Sequence, residues 1–280
     1  MLSRARVRRS ALVATVVLAV VGLGGSAAAA TSDAGPAPSS MASLGDSITR
    51  GFNSCGLYVD CPSESWSTGY DPAVDSHYLR ILGVNPAIIG DNHNDAVTGA
   101  VAAGLAGQAA TAVSQGVRYV TVLIGANDAC RPTEAQMTPV STFRSEIDAG
   151  LNAISAGLPN ARIFVASIPD LKHLWWVGRD DLAAQAVWAV AGICQSMLAN
   201  PTSTAPADVD RRNRVQHRVI DYNTQLAASC AARAHCRFDR DVVFNYPFSL
   251  AQLSAWDYFH PNIDGQATLA RITYAAGFGW

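Results

Sequence analysis

The sequence predicts an α/β fold, a doubly wound parallel sheet with helices on both faces. Two observations carry this. From Met41 onward, short apolar runs alternate with longer stretches of helical composition, the pattern of βα units in a parallel sheet. The clearest run, Tyr119 to Ile124, is β-branched and apolar throughout, as a strand buried on both faces requires. Right-handed crossovers then place helices on both faces.

Before these units stands an address label. Arg4, Arg6, Arg8 and Arg9 make a positive n-region, Ala11 to Leu23 an apolar h-region too short to span a bilayer, and Ala28-Ala29-Ala30 an A-x-A cleavage site. Residues 1–30 are therefore expected to be a cleaved secretory signal and the protein to be secreted. The alternative, an uncleaved anchor, lacks a following stop-transfer pattern, and Arg8-Arg9 leaves the export route open. Residues 31–40, small and with two prolines, read as a flexible leader. Residues 41–280 suffice for one domain with an ample core.

Met41 to Leu44 reads as the first strand, ended by Gly45. Gly51 to Asp75 is a long loop rich in Gly, Ser, Cys and Pro, and Ser76 to Leu82 a short helix. Pro86 to Gly90 reads as a second strand and Asp91 to Gly99 as a polar loop. Val101 to Gln115 is a helix stopped by Gly116. After the Tyr119 strand come a loop at Ala126-Asn127-Asp128, a helix from Pro139 to Ala156, and a strand from Ile163 to Ser167. Helices are expected over Asp180 to Leu198 and Val209 to Arg233, a short strand at Cys236 to Phe238, and a last helix from near Asn262 to Ala276.

The formal net charge is −2 and no basic stripe is present, which argues against a nucleic-acid partner. No further apolar run is long enough to cross a membrane. Six cysteines after an export signal imply disulfides. Cys55 with Cys61, and Cys230 with Cys236, bracket short loops and are expected to pair locally, which leaves Cys130 with Cys194. No C-x-x-C pair argues for a metal.

Ser47 follows the first strand and Asn127 follows the Tyr119 strand, so parallel pairing puts both at the same sheet edge, where open α/β folds keep their ligands. The loop carrying Gly99 emerges there too. Acyl transfer needs a nucleophile, a base, an orienter for the base, and an oxyanion hole. Ser47 fits the nucleophile and His260 the base. Asp257, three residues before His260, fits the orienter. The Ser47 N–H, the Gly99 N–H and the Asn127 side chain would hold the oxyanion. Gly104 and Gly107 compete with Gly99 for that role.

Leu44-Gly45-Asp46-Ser47-Ile48, Gly99, Gly125-Ala126-Asn127-Asp128 and Asp257-Tyr258-Phe259-His260, in that order, resemble the marker blocks of the SGNH or GDSL family of serine esterases and lipases. The resemblance covers nearly all of the chain after the leader. It implies a three-layer, flavodoxin-like sheet of about five strands. It also implies a serine ester hydrolase with no cofactor and no metal. The first block reads Gly-Asp-Ser-Ile rather than Gly-Asp-Ser-Leu, and no Gly-x-Ser-x-Gly elbow is present.

Neither His93 nor His173 combines an acid three residues before with a proline after, and both read as loop residues, with His93 a candidate substrate contact. Asp46 and Asp128 read as loop-fixing acceptors. Trp175, Trp176 and Trp66 are open between pocket and core. The expected substrate is a lipid or short-chain acyl ester, and the expected state a monomer. Two alternatives are a carbohydrate O-acetyl esterase using the same residues and a catalytically silent secreted binding protein of the same fold.

Overall fold

The computed structural model describes residues 35–280; the expected signal and the first part of the leader lie outside the described residues. Five strands form one parallel sheet: β1 (Met41–Gly45), β2 (Asn92–Asn94), β3 (Tyr119–Leu123), β4 (Arg162–Val165) and β5 (Cys236–Phe238), in the order β2-β1-β3-β4-β5. The chain leaves β1 in one direction to reach β2, then crosses back to β3. Right-handed crossovers must change faces at that reversal. The ligand crevice of such a sheet lies at the carboxyl ends of the two strands flanking the reversal, here β1 and β3.

The first crossover carries α1 (His77–Val84). The later ones carry α2 (Leu105–Gln115) and α3 (Ala126–Ala129), then α4 (Val140–Gly157). Beyond β4 come α5 (Leu171–Gly178), α6 (Leu182–Val190), α7 (Gln195–Leu198) and α8 (Pro206–Ala231), and α9 (Ile263–Ala276) closes the fold. Local chemistry sets the helix ends. Ser76 Oγ accepts from Leu79 N at the start of α1, and Asn262 Oδ1 accepts from Gly265 N at the start of α9. Gly116 takes φ +69 to end α2.

Three expectations are corrected. The loop expected at Ala126-Asn127-Asp128 is a single helical turn, α3, entered through Gly125 at φ +119. Pro86–Ile88 is a single 3-10 turn and not a strand, and β2 lies in the stretch expected to be a polar loop. Asn85 accepts from Ala87 N and donates to the carbonyls of Ala37 and Pro38, fixing the turn. Because β2 is an edge strand with half-buried residues, it needs no apolar run. The helix expected over Asp180 to Leu198 is broken, because Gly192 and Cys194 both adopt positive φ between α6 and α7. Cys194 bonds to Cys130 there, and Cys55–Cys61 and Cys230–Cys236 complete the three disulfides. Among the described residues no helix is long and apolar enough to cross a membrane.

The sheet face toward α1 and α9 is partly polar. Ser43 Oγ meets Thr68 Oγ1, and Ser67 Oγ meets Thr121 Oγ1. His77, wholly buried, bridges Tyr119 Oη at 2.9 Å and Thr273 Oγ1 at 2.8 Å. Burial, helped by the Arg80 charge, lowers its pKa to about 3. An unfolded histidine takes a proton near pH 6.5, so between about pH 6.5 and 3 the unfolded chain binds a proton that the folded one refuses. This contribution therefore falls with falling pH, by about 1.4 kcal/mol per unit within the window. In urea titrations, the stability advantage of wild type over His77→Gln is expected to shrink steadily from pH 6.5 to 4. A constant difference would contradict the assignment.

Candidate active site

Asp257, Tyr258, Phe259 and His260 occupy a tight turn before α9, with Tyr258 at φ +52. Asp257 makes that turn. Its Oδ1 accepts from Phe259 N at 2.9 Å and His260 N at 3.0 Å, which leaves Oδ2 facing the ring. His260 Nδ1 stands 2.6 Å from Oδ2. An ionised carboxylate can only accept, so Nδ1 carries the proton and Nε2 is left as an acceptor. Nε2 lies 2.8 Å from Ser47 Oγ. The structure thus brings Ser47, His260 and Asp257 into one hydrogen-bonded chain. Burial alone would push the Asp257 carboxyl up, but the hydrogen bond to His260, its charge and the two backbone N–H groups outweigh it and hold the pKa below the usual range.

The turn that presents Ser47 is held from both sides of the sheet. On one side Gln108 of α2 brackets Gly45, accepting from its N–H at 2.7 Å and donating to its carbonyl at 2.9 Å. Gln266 of α9 donates to the Ile48 carbonyl at 2.8 Å and accepts from Trp66 N. Gly45 sits at φ +148, and a Cβ there would stand 2.2 Å from the Leu123 carbonyl oxygen, so no larger residue fits. Asp46 Oδ1 accepts from Ile48 N. Burial raises its pKa to about 7, against the pull of the Ile48 N–H and the His260 charge. Asp128 ties Ala102 N and Thr138 Oγ1. Both acids fix loops.

Gly99, at φ +81, lies in a turn closed by Ala100 N and the Val97 carbonyl. Asn127 Nδ2 donates to the Ala100 carbonyl at 3.0 Å, which places the carboxamide one peptide from Gly99. Among the described residues neither the Ser47 N–H nor the Gly99 N–H has a hydrogen-bond acceptor. Gly104 N, by contrast, is engaged by the Val101 carbonyl, and Gly107 lies inside α2.

The family model for GDSL-like lipase/acylhydrolase matches residues 41–272. The chain belongs to that family. Membership makes it a hydrolase of the esterase and lipase type. One solved structure similar to this GDSL-like chain is a protein from Parabacteroides merdae ATCC 43184, provisionally described as a GDSL-like lipase. The two share 18% identity over 84% of this chain and 94% of that one, with a TM-score of 0.48. A comparison with curated proteins found no match.

Three residues of this site escape a motif reading. Asn53, buried and at φ +66, donates from Nδ2 to Asp257 Oδ2 at 2.5 Å. It is fixed by the bond from its own N–H to the Val59 carbonyl, across the loop that Cys55–Cys61 staples. Nothing local in the sequence marks it. Gln108 and Gln266 do leave a signal. Gln108 shares a buried stripe with Leu105, Ala109 and Ala112, and Gln266 one with Leu269, Ala270 and Thr273. A glutamine where helical period calls for an apolar residue points to a backbone partner.

The remaining candidates lie elsewhere. His93 sits on edge strand β2, and His173 Nε2 meets the Phe248 carbonyl at 2.9 Å. Trp175 is buried, with its Nε1 on the Pro201 carbonyl and Arg212 stacked on its ring. Trp176 is exposed under Arg179. Trp66 is core, its Nε1 donating to Thr49 Oγ1.

Proposed function

We propose that the chain is a secreted serine hydrolase that cleaves carboxylic esters through an acyl-enzyme on Ser47. The observation that carries this is the hydrogen-bonded chain from Ser47 Oγ through His260 to Asp257. Ser47 Oγ attacks the ester carbonyl as His260 Nε2 takes its proton, and Asp257 holds the tautomer and offsets the imidazolium charge. The carbonyl oxygen becomes an oxyanion received by the Ser47 N–H, the Gly99 N–H and the Asn127 amide, each donor worth about 3 kcal/mol. The C–O bond to the alcohol then breaks and His260 returns the proton to the leaving oxygen. Water, deprotonated by His260, releases the acid and restores Ser47.

Secretion rests on the sequence of residues 1–30 and fits three disulfides, which persist in oxidising compartments. The oxyanion role of Asn127 has a direct test. Asn127→Ala is expected to lower kcat on p-nitrophenyl butyrate about 100-fold or more, with KM little changed. A change confined to KM would remove Asn127 from the oxyanion hole.

A further inference from the structure

The loop that follows Ser47 folds back onto the Asp257 turn. Cys55–Cys61 staples it, and Asn53 N, just ahead of the staple, donates to the Val59 carbonyl within it at 2.9 Å. Two hydrogen bonds join this loop to the turn: Asn53 Nδ2 donates to Asp257 Oδ2 at 2.5 Å, and Trp256 Nε1 donates to the Gly56 carbonyl at 2.9 Å. Rings extend the contact. Phe52 stands edge-on to His260, and Tyr58 edge-on to Trp256. Asn53 is not the residue that folding alone would favour here. Its φ of +66 suits glycine better. Its Oδ1 is buried without a hydrogen-bond partner among the described residues, which costs stability. The gain lies at the other end of the amide. An ionised carboxylate can only accept, so the Asp257 charge fixes the amide with its NH₂ inward.

We infer that Asn53 is a positioning residue for Asp257, and that the loop stapled by Cys55–Cys61 is the clamp that holds it there. This rests on the acyl transfer proposed at Ser47. Asp257 Oδ2 offers two lone pairs, of which His260 Nδ1 takes one and Asn53 the other. Oδ1 is engaged by the Phe259 and His260 N–H groups. With every acceptor direction filled the carboxylate cannot rotate, and the imidazole it carries stays aimed at Ser47. The amide also draws charge from the carboxylate. Without it Asp257 would hold an imidazolium more tightly, and His260 would become a free base only at higher pH. The charged groups facing the imidazole among the described residues are Asp257, on its own turn, and Asp46, on the turn after β1. The stapled loop presents the ring of Phe52. A change at Asn53 leaves all three in place.

The test is the pH profile of kcat and kcat/KM on p-nitrophenyl butyrate for Asn53→Gly, a replacement that suits the left-handed backbone. The expected result is kcat lowered about tenfold with KM little changed, and the acid limb moved up by about 0.5 pH unit. Asn53→Ala serves the same purpose if Asn53→Gly does not fold. Cys55→Ser and Cys61→Ser, made together, should move the limb in the same direction, and adding them to Asn53→Gly should change kcat by less than about threefold. An acid limb that stays at its wild-type pH or moves down in folded Asn53→Gly would leave Asn53 a purely structural residue and overturn the inference. Full additivity, or a wild-type limb in the staple-free protein, would overturn the clamp. NMR titration of His260, assigned by its loss in His260→Gln, separates the inference from the chemistry. A higher midpoint in Asn53→Gly than in wild type supports the positioning role even if the wild type hydrolyses no ester, an outcome that would remove the acyl-transfer reading alone. Equal midpoints would overturn the positioning role even in an active enzyme.

Discussion

Ser47→Ala is expected to lose about 10⁴-fold or more of the kcat for p-nitrophenyl ester hydrolysis, with the fold intact. The loss is large because no nearby group can replace the hydroxyl as nucleophile. His260 Nε2 would face a methyl group, and the residual rate would come only from binding and the oxyanion donors. The fold should survive because Ser47 Oγ bonds His260 and ties no secondary structure. The turn around it is held through backbone groups by Gln108 and Gln266. The measurement is kcat on the shortest ester turned over, beside circular dichroism and a melting curve. A folded Ser47→Ala with normal kcat would refute the mechanism.

Asp257→Asn is expected to cost about 10³–10⁴-fold in kcat, nearly as much, although the replacement is isosteric. Asp257 accepts four hydrogen bonds, two from backbone N–H groups at Oδ1 and two, from His260 Nδ1 and Asn53 Nδ2, at Oδ2. An amide can accept at only one end. With its oxygen on the backbone turn, its NH₂ faces Nδ1, which must then become an acceptor. The ring proton moves to Nε2, and His260 donates to Ser47 where it should accept. With the amide reversed, the turn loses both of its bonds. Because the Asp257 carboxyl lies below its ordinary range, its protonation should not limit the wild-type rate above about pH 4. Steady-state kinetics of Asp257→Asn at neutral pH test this. A loss of less than tenfold would mean that His260 does not depend on the carboxylate for its tautomer.

Strands β1, β3 and β4 were legible in the sequence because they are largely buried on both faces and so are mostly apolar, with Ser43 and Thr121 as hydrogen-bonded exceptions. The edge strand β2 was not, since Asn92, His93 and Asn94 need satisfy only one neighbour and one half-buried environment. The apolar Pro86–Ile88 segment drew the strand assignment because Ile88 is core, although Pro86 and the Asn85 cap make it a turn. The break between α6 and α7 was hidden because a left-handed Cys194 has no composition signal and is fixed by packing and by its bond to Cys130. At the site, the residues that meet one another, Ser47, His260 and Asp257, fell into short motifs with fixed spacing. The carboxylate and the imidazole need that proximity. Asn53 acts across 204 positions of chain on a carboxylate already identified, and only the fold brings it there.

The most direct measurement of the central claim is mass-spectrometric mapping of the adduct formed with a fluorophosphonate, which phosphonylates only an activated serine hydroxyl. The account predicts one adduct, on the peptide containing Ser47, with labelling slowed strongly in His260→Ala. No adduct, or an adduct on another serine of the folded protein, would contradict it.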